Sequence, residues 1–109
     1  WFVSATGARR YVRALLAGLL VANTTTLFAP AYTTGGERID YGYGWMLTNV
    51  SVDNAPLMWH NGGFLGFRSA VLMVPSRNVA VVVECNCADG GALDRAAALL
   101  KQYYECCQT

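Results

Sequence analysis

Along residues 7–21 the apolar positions Tyr11, Val12, Leu15, Leu16 and Leu19 recur at helical spacing and form one stripe about 140° wide at 100° per residue. Arg9, Arg10 and Arg13 fall on the other side with Ala17, so the pattern predicts an amphipathic helix with a solvated basic face, capped by Ser4 or Thr6. Residues 22–40 break that rhythm with Asn23-Thr24-Thr25-Thr26, Pro30 and Gly35-Gly36, and a surface connection with one short strand or turn is expected there. Tyr41-Gly42-Tyr43-Gly44-Trp45-Met46-Leu47 alternates aromatic with glycine, a strand pattern in which each glycine lets another backbone or a ligand come close. A turn around Asp53-Asn54-Ala55-Pro56 leads to a short extended piece, Leu57-Met58-Trp59-His60. The glycine-rich run Asn61-Gly62-Gly63-Phe64-Leu65-Gly66 then has to bend.

Residues 67–74 form a second apolar strand, and residues 79–84 a third, whose unbroken Val/Ala run implies burial on both faces. Pro75-Ser76-Arg77-Asn78 between them is too short for a crossover, so the two must be antiparallel. A second amphipathic helix follows over residues 91–106 with Asp89 as its N-cap. Ala92, Leu93, Ala96, Leu99, Leu100, Tyr103 and Tyr104 share one side, and Asp94, Lys101 and Glu105 the other. The succession predicts an α+β fold: an antiparallel β-sheet flanked by an N-terminal and a C-terminal helix, both helices on one face, in a single domain over 1–109.

Composition sharpens this picture in one respect. Of the 109 residues, 54% are hydrophobic and only 14% charged, so the chain has too few polar groups to cover its own surface and is expected to meet something that covers the rest. A net charge of +1 offers no field for polyanions, which argues against a nucleic-acid partner. The longest apolar run, residues 14–22, falls short of the roughly 18 needed for a membrane span. It is read as part of the first helix rather than as an export signal, because the preceding arginines lie within the helical period and no small-x-small cleavage site follows. Cys85, Cys87, Cys106 and Cys107 have neither zinc-ribbon spacing nor the spread of a disulfide scaffold. Free thiols are the first expectation, and a bridge between the two pairs the alternative in an exported protein. With His60 the sole histidine, no metal site is expected.

The chemistry centres on His60-Asn61-Gly62-Gly63. A strand that carries a polar or cationic side chain and then residues without Cβ can lie against a substrate, with backbone groups pairing to it while the side chain reaches the reacting carbonyl. On these residues alone, a hydrogen-bonded turn histidine is the plainer reading. Arg68, at the start of the next strand, could meet a substrate carboxylate, although a solvated or ion-paired arginine is the commoner case. Tyr43, Trp45 and Trp59 read first as core.

The order of Ser4-Ala5-Thr6-Gly7-Ala8-Arg9-Arg10-Tyr11-Val12-Arg13, Tyr41-Gly42-Tyr43-Gly44-Trp45, Trp59-His60-Asn61-Gly62-Gly63, Gly66-Phe67-Arg68-Ser69 and the 79–86 strand resembles the C-terminal part of the serine β-lactamase and penicillin-binding-protein family. The nearest likeness is to class C enzymes, D-alanyl-D-alanine carboxypeptidases and related esterases. The resemblance implies that His60 stands at the family's Lys-Thr-Gly or His-x-Gly box, assisting proton transfer or binding negative charge. It further implies that Gly62 allows close approach, that Gly63 lends a backbone N–H to the oxyanion hole, and that Asn61, Arg68 and Tyr43 border the substrate. It implies bacterial origin, a periplasmic or secreted location, no cofactor, and a β-lactam, D-peptide or ester substrate.

The family's other two boxes are not in this sequence. The only lysine is Lys101, preceded three residues earlier by Ala98, so no Ser-x-x-Lys nucleophile occurs, and no tyrosine is followed two residues on by Asn or Ser. A substitute Cys85 or Cys87 nucleophile working with His60 has no third group favoured by spacing. The chain is therefore expected to be inactive alone and to need a nucleophile-bearing segment, or else to be a small protein that retains this sheet for ligand binding or homodimerisation.

Overall fold

The computed structural model describes residues 3–87 and 91–106. In chain order it contains α1 (Ala5–Leu16), α2 (Thr24–Leu27), β1 (Ala31–Tyr32), β2 (Arg38–Ile39), β3 (Met46–Asn49), β4 (Pro56–Phe64), β5 (Phe67–Val74), β6 (Val79–Cys85) and α3 (Ala92–Cys106). The fold is α+β, as the pattern predicts. Strands β3-β4-β5-β6 form one antiparallel sheet in sequence order, and β1 and β2 make a separate small hairpin.

Helix α1 begins where Ser4 Oγ accepts the Gly7 amide at 3.1 Å. It ends at Leu16, five residues before the predicted limit. Gly18 adopts φ 76°, and the Gly18 and Leu19 amides turn back to the Leu15 and Ala14 carbonyls at 3.1 and 3.0 Å. These are the two bonds of a Schellman stop, which satisfies carbonyls the helix leaves orphaned. Leu19 consequently leaves the apolar stripe and is exposed, as is Tyr11, while Val12 and Leu15 are buried. The Asp89 cap foreseen for α3 lies outside the described residues.

Both helices were expected on one face of the sheet, and they lie on opposite faces instead. Strand β5 is apolar at consecutive positions: Ala70, Leu72 and Val74 pack with Ala92, Ala96 and Leu100 of α3, whereas Val71 and Met73 pack with Val12 and Leu15 of α1. A strand with two apolar faces needs two covers, one helix for each. Strand β6 departs from its reading in the opposite sense. Residues 79–83 are only partly buried, because β6 is an edge of the sheet and its outer edge has no strand partner among the described residues.

The aromatic-glycine segment also folds otherwise than predicted. Only Met46 onward is strand; Tyr41 makes a single bridge to Met46, and Gly44 takes φ 86° within the intervening turn. The Tyr43 amide donates to the Leu27 carbonyl at 2.9 Å, pinning this turn to the end of α2. A Cβ on Gly42 would collide with that same carbonyl oxygen, so glycine is required by backbone approach. The run at 61–66 does bend, but only in its last two residues, so β4 continues past His60, where the extended piece was expected to end. Asn61, Gly62, Gly63 and Phe64 stay in β4, opposite Ala70, Ser69, Arg68 and Phe67, and the chain reverses at Leu65 and Gly66 alone. Both carry positive φ, 38° and 86°, the handedness that a two-residue hairpin demands.

At the far end of the sheet Asp53 Oδ2 accepts from Arg77 Nη2 at 2.8 Å and from Nε at 3.1 Å, tying the β3–β4 turn to the link before β6. Burial works to raise the Asp53 carboxyl, but the Ala55 amide, Arg77 and Tyr104 outweigh it and hold the group below its ordinary range. Tyr104 of α3 is buried beside this pair. Its hydroxyl has no hydrogen-bond partner of good geometry among the described residues, and burial first, then the approach of the Asp53 carboxylate and its charge, push it above its ordinary range. Cys85 and Cys87, expected as free thiols, form a disulfide with each other, and Cys106 is a free, exposed thiol. Cys107 lies outside the described residues.

Candidate functional site

Strand β3 reaches only as far as Met46, which pairs with Trp59. Beyond that point the backbone of residues 60–64 pairs with β5 on one side and has no strand partner on the other among the described residues. The open edge follows directly from the Gly44 turn, which leads the preceding chain away from the sheet before it can continue the ladder. An unpaired stretch of this kind offers its N–H and C=O groups to an extended ligand.

His60 lies on the α1 face of β4, two residues after the buried Met58 that packs on Val12 and Leu15. Its ring is exposed and held at both nitrogens. Nδ1 is 2.6 Å from the Asn61 carbonyl oxygen, and Nε2 is 3.1 Å from Tyr41 Oη, with the two rings edge-to-face at 5.9 Å. Tyr43, the tyrosine singled out from the sequence, projects into solvent from the turn instead. Sequence reasoning passed over Tyr41 as a site residue. Its signal was the bridge partnership with the residue that starts β3, which becomes readable only once the turn at Gly44 is known.

Asn61, Gly63 and Arg68 occupy the opposite, α3 face. Gly63 is paired with Arg68, and a Cβ on Gly63 would stand 3.0 Å from Arg68 Cδ, so the arginine stem lies across the glycine. Arg68 Nη1 donates to the Phe67 carbonyl at 2.8 Å. An open groove of about 500 Å³ is lined here by residues 61–63, Arg68, Ser69 and Leu93, and a second of about 820 Å³ continues past Phe67 to Glu84 and Cys85. The structure thus brings Asn61, Gly62, Gly63 and Arg68 together and sets His60 with Tyr41 on the other face, the backbone at Gly62 lying between them. Among the described residues no group of three or more His, Cys, Asp or Glu is placed to hold a metal ion. No described helix is long and apolar enough to cross a membrane.

The family model described as Beta-lactamase matches residues 1–104. A segment of 51 residues, 47% of the chain, is 35% identical to Penicillin-binding protein 4* of Bacillus subtilis (strain 168) and corresponds to 11% of that protein's length. The chain thus spans a small part of the curated relative it matches. No solved structure matches.

Proposed function

The chain belongs to the beta-lactamase family, and on that premise we propose that it supplies the substrate-edge strand of an acyl-serine hydrolase acting on a β-lactam, D-peptide or ester. The observation that carries this reading is the open edge of β4 at residues 60–64 beside the exposed His60. A substrate lying along that edge would pair with the strand while its acyl carbonyl met the backbone N–H of Gly63 in the oxyanion role. One such donor is typically worth about 2.7–4 kcal/mol in the transition state. His60 would assist proton transfer or hold negative charge, and Asn61, Gly62, Arg68 and Tyr43 would border the acyl group and its substituents. The nucleophile has to come from elsewhere, since this sequence holds no Ser-x-x-Lys. Mass spectrometry after incubation with a penicillin or an activated ester tests the reading. The chain alone should form no acyl adduct, and adding a segment that bears Ser-x-x-Lys should produce one on that serine. An adduct on the isolated chain, or none on the combined protein, defeats it.

A second reading has its own support. The accessible surface is 7406 Å², against about 5,900 Å² for a compact monomer of this mass. Among the described residues β6 also leaves an edge without a strand partner and a partly buried run of valines. In this reading a second copy of the chain covers the sheet, and the domain binds a ligand without catalysis.

A further inference from the structure

We propose that Tyr41 is a positioning residue for His60: the Asn61 carbonyl fixes the tautomer with the proton on Nδ1, and the Tyr41 hydroxyl donates to the Nε2 lone pair and holds the ring in place. A carbonyl oxygen can only accept, so the 2.6 Å contact from Nδ1 to the Asn61 oxygen requires the proton to sit on Nδ1. In the neutral ring Nε2 is then the acceptor, and at 3.1 Å its partner is the Tyr41 hydroxyl, whose hydrogen points at the ring. The tyrosine does not rotate freely into this place. Its backbone is bridged to Met46, its amide donates to the Ile39 carbonyl at 2.8 Å, and its ring packs edge-to-face on the imidazole. The bond at Nδ1 therefore defines the tautomer, and the hydroxyl, which can donate or accept, takes the donor sense at Nε2 that this tautomer leaves it.

The consequence concerns proton flow. With Nε2 occupied by the phenol, a proton reaching His60 from the open edge of β4 arrives through Tyr41 Oη. The phenol oxygen accepts it while passing its own hydrogen to Nε2, which leaves an imidazolium protonated at both nitrogens and a neutral tyrosine. No electron changes hands and no further reactant is needed. The catalytic use of this arrangement rests on the hydrolase reading, but the tautomer does not, and the two fail separately.

Because His60 is the only histidine, nitrogen-15 NMR of the 109-residue chain reports on it without ambiguity. At a pH where the ring is neutral, Nδ1 should resonate as a protonated nitrogen and Nε2 as an unprotonated one. Tyr41→Phe should shift the Nε2 signal toward that of an unprotonated nitrogen without a hydrogen bond while Nδ1 stays protonated on the Asn61 carbonyl, and Tyr43→Phe should leave both in place. A wild-type ring protonated at Nε2 overturns the proposal, and that result needs no variant to fold. So does a Tyr41→Phe spectrum identical to wild type. A correct tautomer in a protein that never forms an acyl adduct would count against the hydrolase reading alone.

Discussion

At position 42 one missing methyl group lets the turn before β3 dock on the Leu27 carbonyl, and the placement of Tyr41 beside His60 depends on that docking. Gly42→Ala should therefore cost about 1–3 kcal/mol, the usual range for forcing extra volume into a filled site, and should disturb the His60 signals as well; denaturant titration with NMR checks both. At the other end of the sheet, Asp53 ionises more readily in the folded chain than in the unfolded one. Its contribution is complete above the ordinary value of 3.8 and disappears as the pH falls through the lowered native one. Asp53→Asn should flatten the acid limb of the stability profile, and denaturation midpoints measured from pH 6 downward would reveal a slope equal to wild type if the ion pair had no such role. His60 was legible from its neighbours Gly62 and Gly63. Tyr41 was not, because Tyr41 and Tyr43 read alike until the backbone between them is bent.

Among the elements, β4 runs past His60, where its extended piece was expected to end, to Phe64. The glycine-rich run 61–66 reads as a bend without a defined place, and pairing to Ala70, Ser69, Arg68 and Phe67 keeps its first four residues extended and puts the reversal at Leu65-Gly66. Leu65 sits there with positive φ and 81% exposed, unfavourable on both counts. Leu65→Asn should raise stability by about 1 kcal/mol, seen as a higher denaturant midpoint with unchanged slope. Helix α1 was legible over its middle, where Val12 and Leu15 are buried, and misjudged at its end, because the apolar period continues past the Gly18 stop. Leu15→Ala removes one of the largest fully buried side chains and should cost about 2–5 kcal/mol, a loss that calorimetry would register as a lowered Tm. The Cys85–Cys87 bridge closes a loop of three residues, so its reduction should lower stability by less than about 2 kcal/mol, and thermal melts with and without a dithiol measure that directly.

For the molecule as a whole, the apolar excess in the composition has a location. The radius of gyration of 14.5 Å exceeds the roughly 13 Å of a compact chain this long. Phe64, Leu65 and Phe67 project from the hairpin tip, and β6 offers a partly buried edge. If a second copy covers that surface, sedimentation at micromolar concentration should show a dimer. A stable monomer would leave the covering role to another segment of a β-lactamase-family protein.

Local pattern alone determined the class of both long helices and of β4, β5 and β6, the antiparallel sense of the β5–β6 pair and the position of the His-Asn-Gly-Gly box, because periodicity and connection length act within a few residues. Long-range pairing decided which face each helix covers, where the 61–66 run turns, which cysteines join, and which tyrosine meets the histidine. Those outcomes depend on groups far apart in sequence competing for the same space, and no local pattern records that competition.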